Sequence, residues 1–202
     1  MELRRAIETR RMTRDFSDAD VTDELVRDLV DLASRAPSAG KTQGWSLLVL
    51  RDKARDRFWD LSLPADKRAS FAWPGLLRAP VIALSLADPD AYVERYSEPD
   101  KAHTGLGRGV DAWGAPYWTI DASMATMSLL LAAHDAGLGA LFFAVFNGAE
   151  AIRREFGVPD SLQLLGAVAL GHPASATGDA RRGVSAPRPR RRASDIIHAN
   201  RW

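Results

Sequence analysis

Three guanidiniums stand within five residues at Arg10, Arg11 and Arg14, and four more, Arg188, Arg190, Arg191 and Arg192, sit near the far end of the chain. Arginine presents planar, bidentate donors that keep their charge at any physiological pH, which suits a phosphate. A phosphate monoester carries roughly −1.5 to −2 charges near neutrality. If the chain ends converge, Arg10 and Arg11 from one side and Arg188 and Arg190 from the other could neutralise one such group. The chain carries 27 basic and 26 acidic side chains for a formal net charge of +1, so no global field draws a long polyanion. Basic character here is local. Charge alone leaves two other readings open: each cluster is a solvated face, or the Arg188–Arg192 run binds a nucleic-acid backbone.

Other chemistries find little support. A phosphate-cradling loop ending in Gly40-Lys41-Thr42 needs a glycine where Arg35 stands. Gly105, Gly107 and Gly109 follow no strand and lack the spacing of a dinucleotide fingerprint. No Gly-x-Ser-x-Gly elbow occurs. The four histidines, at 103, 134, 172 and 198, are too scattered for a local metal motif, and no metal is expected. Zero cysteines exclude disulfides, thiolate catalysis and thiolate-held metals, and permit a cytoplasmic location. No apolar run reaches the roughly 18 residues that span a bilayer, and no signal-peptide pattern opens the sequence.

The elements that must position the arginines read as alternating helices and strands. Glu2–Thr9 is a short helix. Thr22 caps a second, with Leu25, Val26, Leu29, Val30, Leu32 and Ala33 at helical spacing, and Pro37 bars its continuation. Trp45–Leu50 has the length and composition of a strand, Arg51–Leu63 of a helix, and Pro80–Ala87 of a buried strand. From Asp88 to Pro116 the pattern dissolves into Gly, Pro and charge, as in a lid or binding loop. Trp118–Ala136 is apolar on nearly every side and predicts a buried helix, stopped by Gly137-Leu138-Gly139. Leu141–Phe146 reads as strand, Glu150–Phe156 as helix, and Leu162–Leu170 as a final central strand. The chain closes in a Gly/Pro/Arg tail with no core of its own. Such alternation predicts an α/β or α+β fold in one domain over residues 1–202, with 88–117 as a cover and 174–202 as an extended tail.

Segments along the chain, in order, resemble those of the nitroreductase family of FMN enzymes. Arg10-Arg11-Met12-Thr13-Arg14-Asp15-Phe16 is similar to a family segment Arg-Arg-Ser-x-Arg-x-Phe, with Met12 in place of the serine. Ala36-Pro37-Ser38-Ala39-Gly40-Lys41-Thr42-Gln43-Gly44-Trp45 is similar to Ala-Pro-Ser-x-x-Asn-x-Gln-Pro-Trp, with Lys41 at the asparagine and Gly44 at the proline. Gly137-Leu138-Gly139 with the strand after it is the third, although Met127-Ser128 stands where the family often has Gln-Asn. Gly171-His172-Pro173 and the closing Arg190–His198 stretch complete the set.

The resemblance implies an α+β fold, a central and mostly antiparallel sheet flanked by helices, in an intertwined homodimer with FMN at the interface. Arg10, Arg11, Arg188 and Arg190 would meet the phosphate end, and Arg14 the N1/O2 edge of the ring, where a cation stabilises negative charge. Met12 would offer only a backbone contact. Pro37, Ser38 and Ala39 would line the ring edge, on the partner chain, with Lys41 and Gln43 beside them. Lys41 could raise the flavin potential or hold an anion in the acceptor pocket. Phe142, Phe143, Ala144 and Val145 would supply the surface beneath the flavin, with a backbone N–H near N5. The resemblance further implies electron transfer from NADH or NADPH to a small planar aromatic acceptor such as a nitroaromatic or quinone. Flavin N5 would carry the chemistry, so no catalytic side chain is expected. Trp113, Tyr117, Trp118 and Trp73 could stack on that acceptor or pack a dimer interface. A flavin-storage or sensing protein is the alternative function. Neither nucleic acid nor membrane is an expected partner.

Overall fold

The structure, a computed structural model, describes residues 1–174 and 186–202. Four strands form one sheet in the spatial order β1 (Trp45–Leu50), β2 (Val81–Ala87), β4 (Gln163–Gly171), β3 (Gly139–Phe143), and every neighbouring pair runs antiparallel. The expected antiparallel α+β sheet is what the chain forms, with Leu162–Leu170 central as read. All seven residues of β2 are buried, which is what its unbroken apolar run requires of a strand covered on both faces.

Helices form the outer layers. Alternate residues divide β2: Ile82, Leu84 and Leu86 join one core cluster, Val81 and Ala83 the other. On the first side lie Phe58 and Trp59 of α3 (Asp52–Ser62) and Ile152 of α7 (Ala149–Glu155). On the second lie Val26, Leu29 and Ala33 of α2 (Asp23–Ala33) and Leu129, Leu130 and Ala133 of α6 (Tyr117–Asp135). α2 is amphipathic at helical spacing, and the Thr22 side chain accepts the Leu25 N–H at 3.2 Å, satisfying one of the free donors of the first turn. β3 and β1 are the sheet edges. Residues 10–17, which come after α1 (Leu3–Thr9), run as a strap along the β3 side. Thr13 N–H donates to the Ala140 carbonyl at 3.0 Å, and Ser17 N–H to His172 at 2.9 Å.

That strap needs Gly139. A Cβ there would fall 2.6 Å from the Thr13 hydroxyl and 2.7 Å from its methyl. Gly139→Ala should therefore lift the strap from β3 and destabilise the protein by about 1–3 kcal/mol, the usual cost of overpacking. Chemical denaturation checks this, and an unchanged midpoint would show that the strap moves freely.

Two sequence expectations need correction. Residues 88–116 are not patternless: Pro89–Ser97 forms α5, capped by the Asp88 carboxylate, which accepts from Asp90 and Ala91 N–H. Only Tyr92 of that helix is buried, so its apolar stripe is too narrow to show as periodicity. Three short 3₁₀ turns come next, at Ala102–Thr104, Leu106–Arg108 and Val110–Ala112. Nor does the strand read as Leu141–Phe146 keep those bounds. It begins at Gly139, paired with Gly171, and leaves the ladder after Phe143. The glycine taken as a stop signal is its first residue. Two further pieces lay outside the sequence reading: α4 (Ala65–Arg68) and a 3₁₀ turn at Pro74–Arg78. Residues 175–185 of the expected tail lie outside the described residues.

Candidate active site

The strap sets the first group of predicted residues. Arg10 comes directly after the last residue of α1, and its Nε and Nη1 are buried with no hydrogen-bond partner among the described residues. A buried donor left unpaired costs about 1–3 kcal/mol. Burial first, and then the like charges of Arg190 and Arg11, lower the proton affinity of its guanidinium. Arg190 thus comes to Arg10 across 180 residues of chain, and the ends converge. Arg11 is exposed and donates to the Glu8 and Arg10 carbonyls at 2.8 and 3.0 Å. Arg188 is exposed. His134, in the last turn of α6, joins this group with Nε2 2.8 Å from the Thr9 hydroxyl.

Arg14 donates to the Met12 carbonyl at 3.1 Å, and its guanidinium lies over the Trp73 ring at 5.2 Å from the centroid. Trp73 therefore belongs to the Arg14 side of the site. Met12 bridges to Ala140, which brings the arginine segment onto β3. Farther along β3 the Phe143 ring packs into the core cluster that also holds Phe16. It stacks on Trp59 with planes 2° apart and is half-buried. Ala144 and Val145 leave the ladder to line a cleft of about 370 Å³ with Glu150, Arg153 and Gly166. Phe142 packs half-buried against the α6 side of the sheet. Ser128, at one of the two family positions that differ, returns its hydroxyl to the Met124 carbonyl at 2.9 Å.

The second group sits elsewhere. The Pro37–Gln43 loop is fixed to the other end of α6, where Asp121 accepts from Ala39 N–H and from the Tyr92 hydroxyl, both at 2.7 Å. Gln43 N–H donates to the Ser38 hydroxyl at 2.8 Å, and Arg95 Nε to the Gly40 carbonyl at 2.9 Å. Gly40 (φ 62°) is joined in the left-handed region by Lys41 and Gln43, at φ 57° and 58°. A β-carbon on Gly40 would meet the Tyr96 ring at 2.9 Å. Left-handed side-chain residues of this kind cost free energy and persist only where surrounding contacts hold them, often at functional sites. Lys41 and Gln43 are exposed.

Trp113 centres an aromatic cluster over this loop, within 4.7–6.2 Å of Tyr92, Tyr96, Tyr117 and Trp118, and its indole donates to the Leu106 carbonyl at 3.1 Å. Asp121 and His134 are thirteen residues apart on α6, or about 20 Å along its axis. One protomer therefore does not bring Pro37, Ser38 and Ala39 to Arg10.

Sequence reasoning passed over Asp121, Tyr92, Arg95 and His134. A signal existed for Asp121: it is the one acidic residue in α6 before Asp135. The other three depended on partners distant in the chain. Among the described residues, no group of three or more histidine, aspartate or glutamate side chains could hold a metal ion, and no helix is long and apolar enough to cross a membrane.

Residues 7–172 match the model of the nitroreductase family, and the chain belongs to that family. It is 30% identical over 178 residues to a candidate NADH dehydrogenase/NAD(P)H nitroreductase of Archaeoglobus fulgidus, covering 85% of this chain and 86% of that one. An NADH dehydrogenase of Thermus thermophilus is 28% identical over 179 residues, covering 82% and 83%. Among solved structures, a candidate nitroreductase from Desulfovibrio desulfuricans in complex with FMN superposes with a TM-score of 0.65 at 26% identity, covering 92% and 94%. The protein is accordingly an oxidoreductase of the nitroreductase type.

Proposed function

We propose that this protein is an FMN-dependent NAD(P)H oxidoreductase that works as a homodimer in the cytoplasm on a small planar aromatic acceptor, a nitroaromatic or a quinone. The half-buried Arg10 guanidinium carries the reading: two of its buried donors have no acceptor among the described residues, and like charges from both ends of the chain converge on it. A phosphate monoester supplies acceptor oxygens and counter-charge together.

The residues present fit FMN. Arg10, Arg11 and Arg190 would hold the phosphate, with Arg188 nearby. Arg14, steadied by Trp73, would face the pyrimidine edge, where a cation favours the reduced, anionic ring. Met12 and the backbone from Phe142 to Val145 would lie along the ring. When bound, FMN supplies the two-electron carrier between a nicotinamide donor and the acceptor.

Dimerisation supplies the remaining contacts. Pro37, Ser38 and Ala39 of the partner subunit would approach the ring edge, with Lys41 and Gln43 beside them, while residues 88–117 cover the acceptor. Two features support a second copy. Tyr117, Ile120 and Met127 are exposed large side chains on α6, and the tail leaves Ile196, Ile197 and Trp202 uncovered on its own protomer. A second copy of the chain would cover these side chains.

Gel filtration of protein expressed with flavin, then anaerobic addition of NADH or NADPH, tests the reading. We expect a yellow dimer whose flavin absorbance bleaches with at least one donor and returns with a quinone or nitroaromatic. Bound flavin that neither donor reduces would favour storage or sensing. A colourless monomer unable to take up FMN would end the proposal.

A further inference from the structure

One titratable group beside Arg10 has no part in holding the flavin as proposed. Thr9 gives its single hydroxyl proton to the Arg5 carbonyl at 2.6 Å, so the 2.8 Å contact with His134 must be a donation from the ring Nε2. Neutral His134 therefore keeps its lone pair on Nδ1, and a second proton can go only there.

The charged groups facing the ring are Arg10 and Arg11, just past the end of α1, and Asp135 on its own helix. Asp135 is engaged by the amino group of Met1, and Arg190 adds positive charge beside Arg10. The C-terminal end of α6 favours an imidazolium. Burial, and then the two arginines, hold the imidazole below its ordinary value, with Asp135 opposing. A dianion on Arg10 would cancel the arginine field while leaving the helix terminus and Asp135 in place. With burial still opposing, the proton affinity of the ring would then rise from its value in the empty site.

We propose that His134 is the proton-binding member of the phosphate site: a phosphate dianion settling against Arg10 raises the proton occupancy of His134, the proton coming from solvent onto Nδ1. This rests on the proposed FMN function. The cofactor's grip is coupled to pH through a residue that touches the flavin ring nowhere. The sign comes from the two states. The empty site holds the lower proton affinity and the occupied site the higher, so His134 adds to FMN binding at low pH. That addition fades as pH rises through the midpoint of the occupied state. The second ionisation of the phosphate, near pH 6, acts oppositely, and only a comparison with a variant separates the two.

FMN affinity should be measured by flavin fluorescence from about pH 5.5 to about pH 8.5, the window in which a histidine titrates, for wild type and His134→Gln. Riboflavin, which lacks the phosphate, serves as control. Calorimetry in two buffers of different ionisation enthalpy counts the protons. Wild type should take up a fraction of a proton with FMN and none with riboflavin, and His134→Gln should lack that uptake. The wild-type to variant affinity ratio should fall as pH rises across the range. Should His134→Gln not fold, NMR titration of the wild-type imidazoles with inorganic phosphate decides, with an upward shift of the His134 midpoint expected. An unmoved midpoint, or equal proton uptake in wild type and variant, overturns the role of His134 and leaves FMN binding intact. A wild-type protein that binds no FMN overturns both.

Discussion

Arg10→Gln should lose FMN and gain, or at least keep, stability without it. The guanidinium presents two buried donors to a phosphate, and charge-assisted bonds of this kind contribute about 1.5–3 kcal/mol each. Allowing for partial solvation, the loss should be about 2–4 kcal/mol, or roughly 30- to 1,000-fold in dissociation constant. The flavin-free protein responds in the other sense. Its guanidinium is desolvated, unpaired among the described residues and repelled by Arg190 and Arg11, so an uncharged amide relieves the site. Thermal unfolding with and without FMN reads both effects at once. The melting temperature without flavin should stay or rise, and the shift on adding FMN should shrink, since that shift tracks occupancy. A variant that melts early but still binds FMN at wild-type strength would mean that Arg10 serves the fold and not a ligand.

Asp121→Ala should be the most damaging single substitution in either half of the site. The carboxylate is buried and accepts from the Ala39 N–H and the Tyr92 hydroxyl, each at 2.7 Å. Alanine leaves both donors unpaired at about 1–3 kcal/mol apiece, so a loss of about 2–4 kcal/mol is expected. For a chain of this size that corresponds to a fall of about 4–16 °C in melting temperature. Asp121→Asn keeps one acceptor oxygen and should lose less.

Alkaline pH gives a second measure of the same hub. Burial pushes the Tyr92 phenol above its ordinary value, with Ser38 opposing and Asp121 adding to the rise. A group whose folded pKa is raised stabilises fully below its unfolded value, here about 10, and that stabilisation is lost as pH climbs through the folded value. Denaturation midpoints above about pH 10 should therefore fall more steeply for wild type than for Tyr92→Phe. Parallel curves would show that the Tyr92 hydroxyl does not titrate against folding. In flavin-loaded protein, Asp121→Ala should also loosen the loop carrying Pro37, Ser38 and Ala39. FMN would then dissociate faster than from Asp121→Asn.

How much of the fold was legible depended on how local the cause was. β2 and β4 showed as apolar runs because both of their faces are covered, and α2 showed through one cap and one stripe. α5 did not show. Its single buried side chain, Tyr92, is held by a carboxylate 29 residues away and by neighbouring rings, none of which leaves a periodic mark. β3 was misplaced at both ends because an edge strand begins and ends where its neighbour pairs, and that neighbour, β4, comes later in the chain.

The candidate site divides in the same way. Arg10, Arg11 and Arg14 were visible because three like charges in five residues demand a counter-ion or solvent. The parts played by Asp121, Tyr92, Arg95 and His134 were not, since each of those residues is ordinary until a distant partner meets it.

The family, the antiparallel α+β character of the sheet and the residue types able to meet a phosphorylated flavin were all readable from the order of the amino acids. Periodicity gave alternating helices and strands and charge density the arginine clusters, while the family, the antiparallel sheet and the flavin came through the resemblance of short segments. It took the packed chain to reveal that two donors of Arg10 are buried and unpaired among the described residues, that Arg190 returns to it, and that the Pro37 loop sits at the opposite end of α6. Burial and proximity are set by how the layers pack, and no segment contains the surface that will cover it.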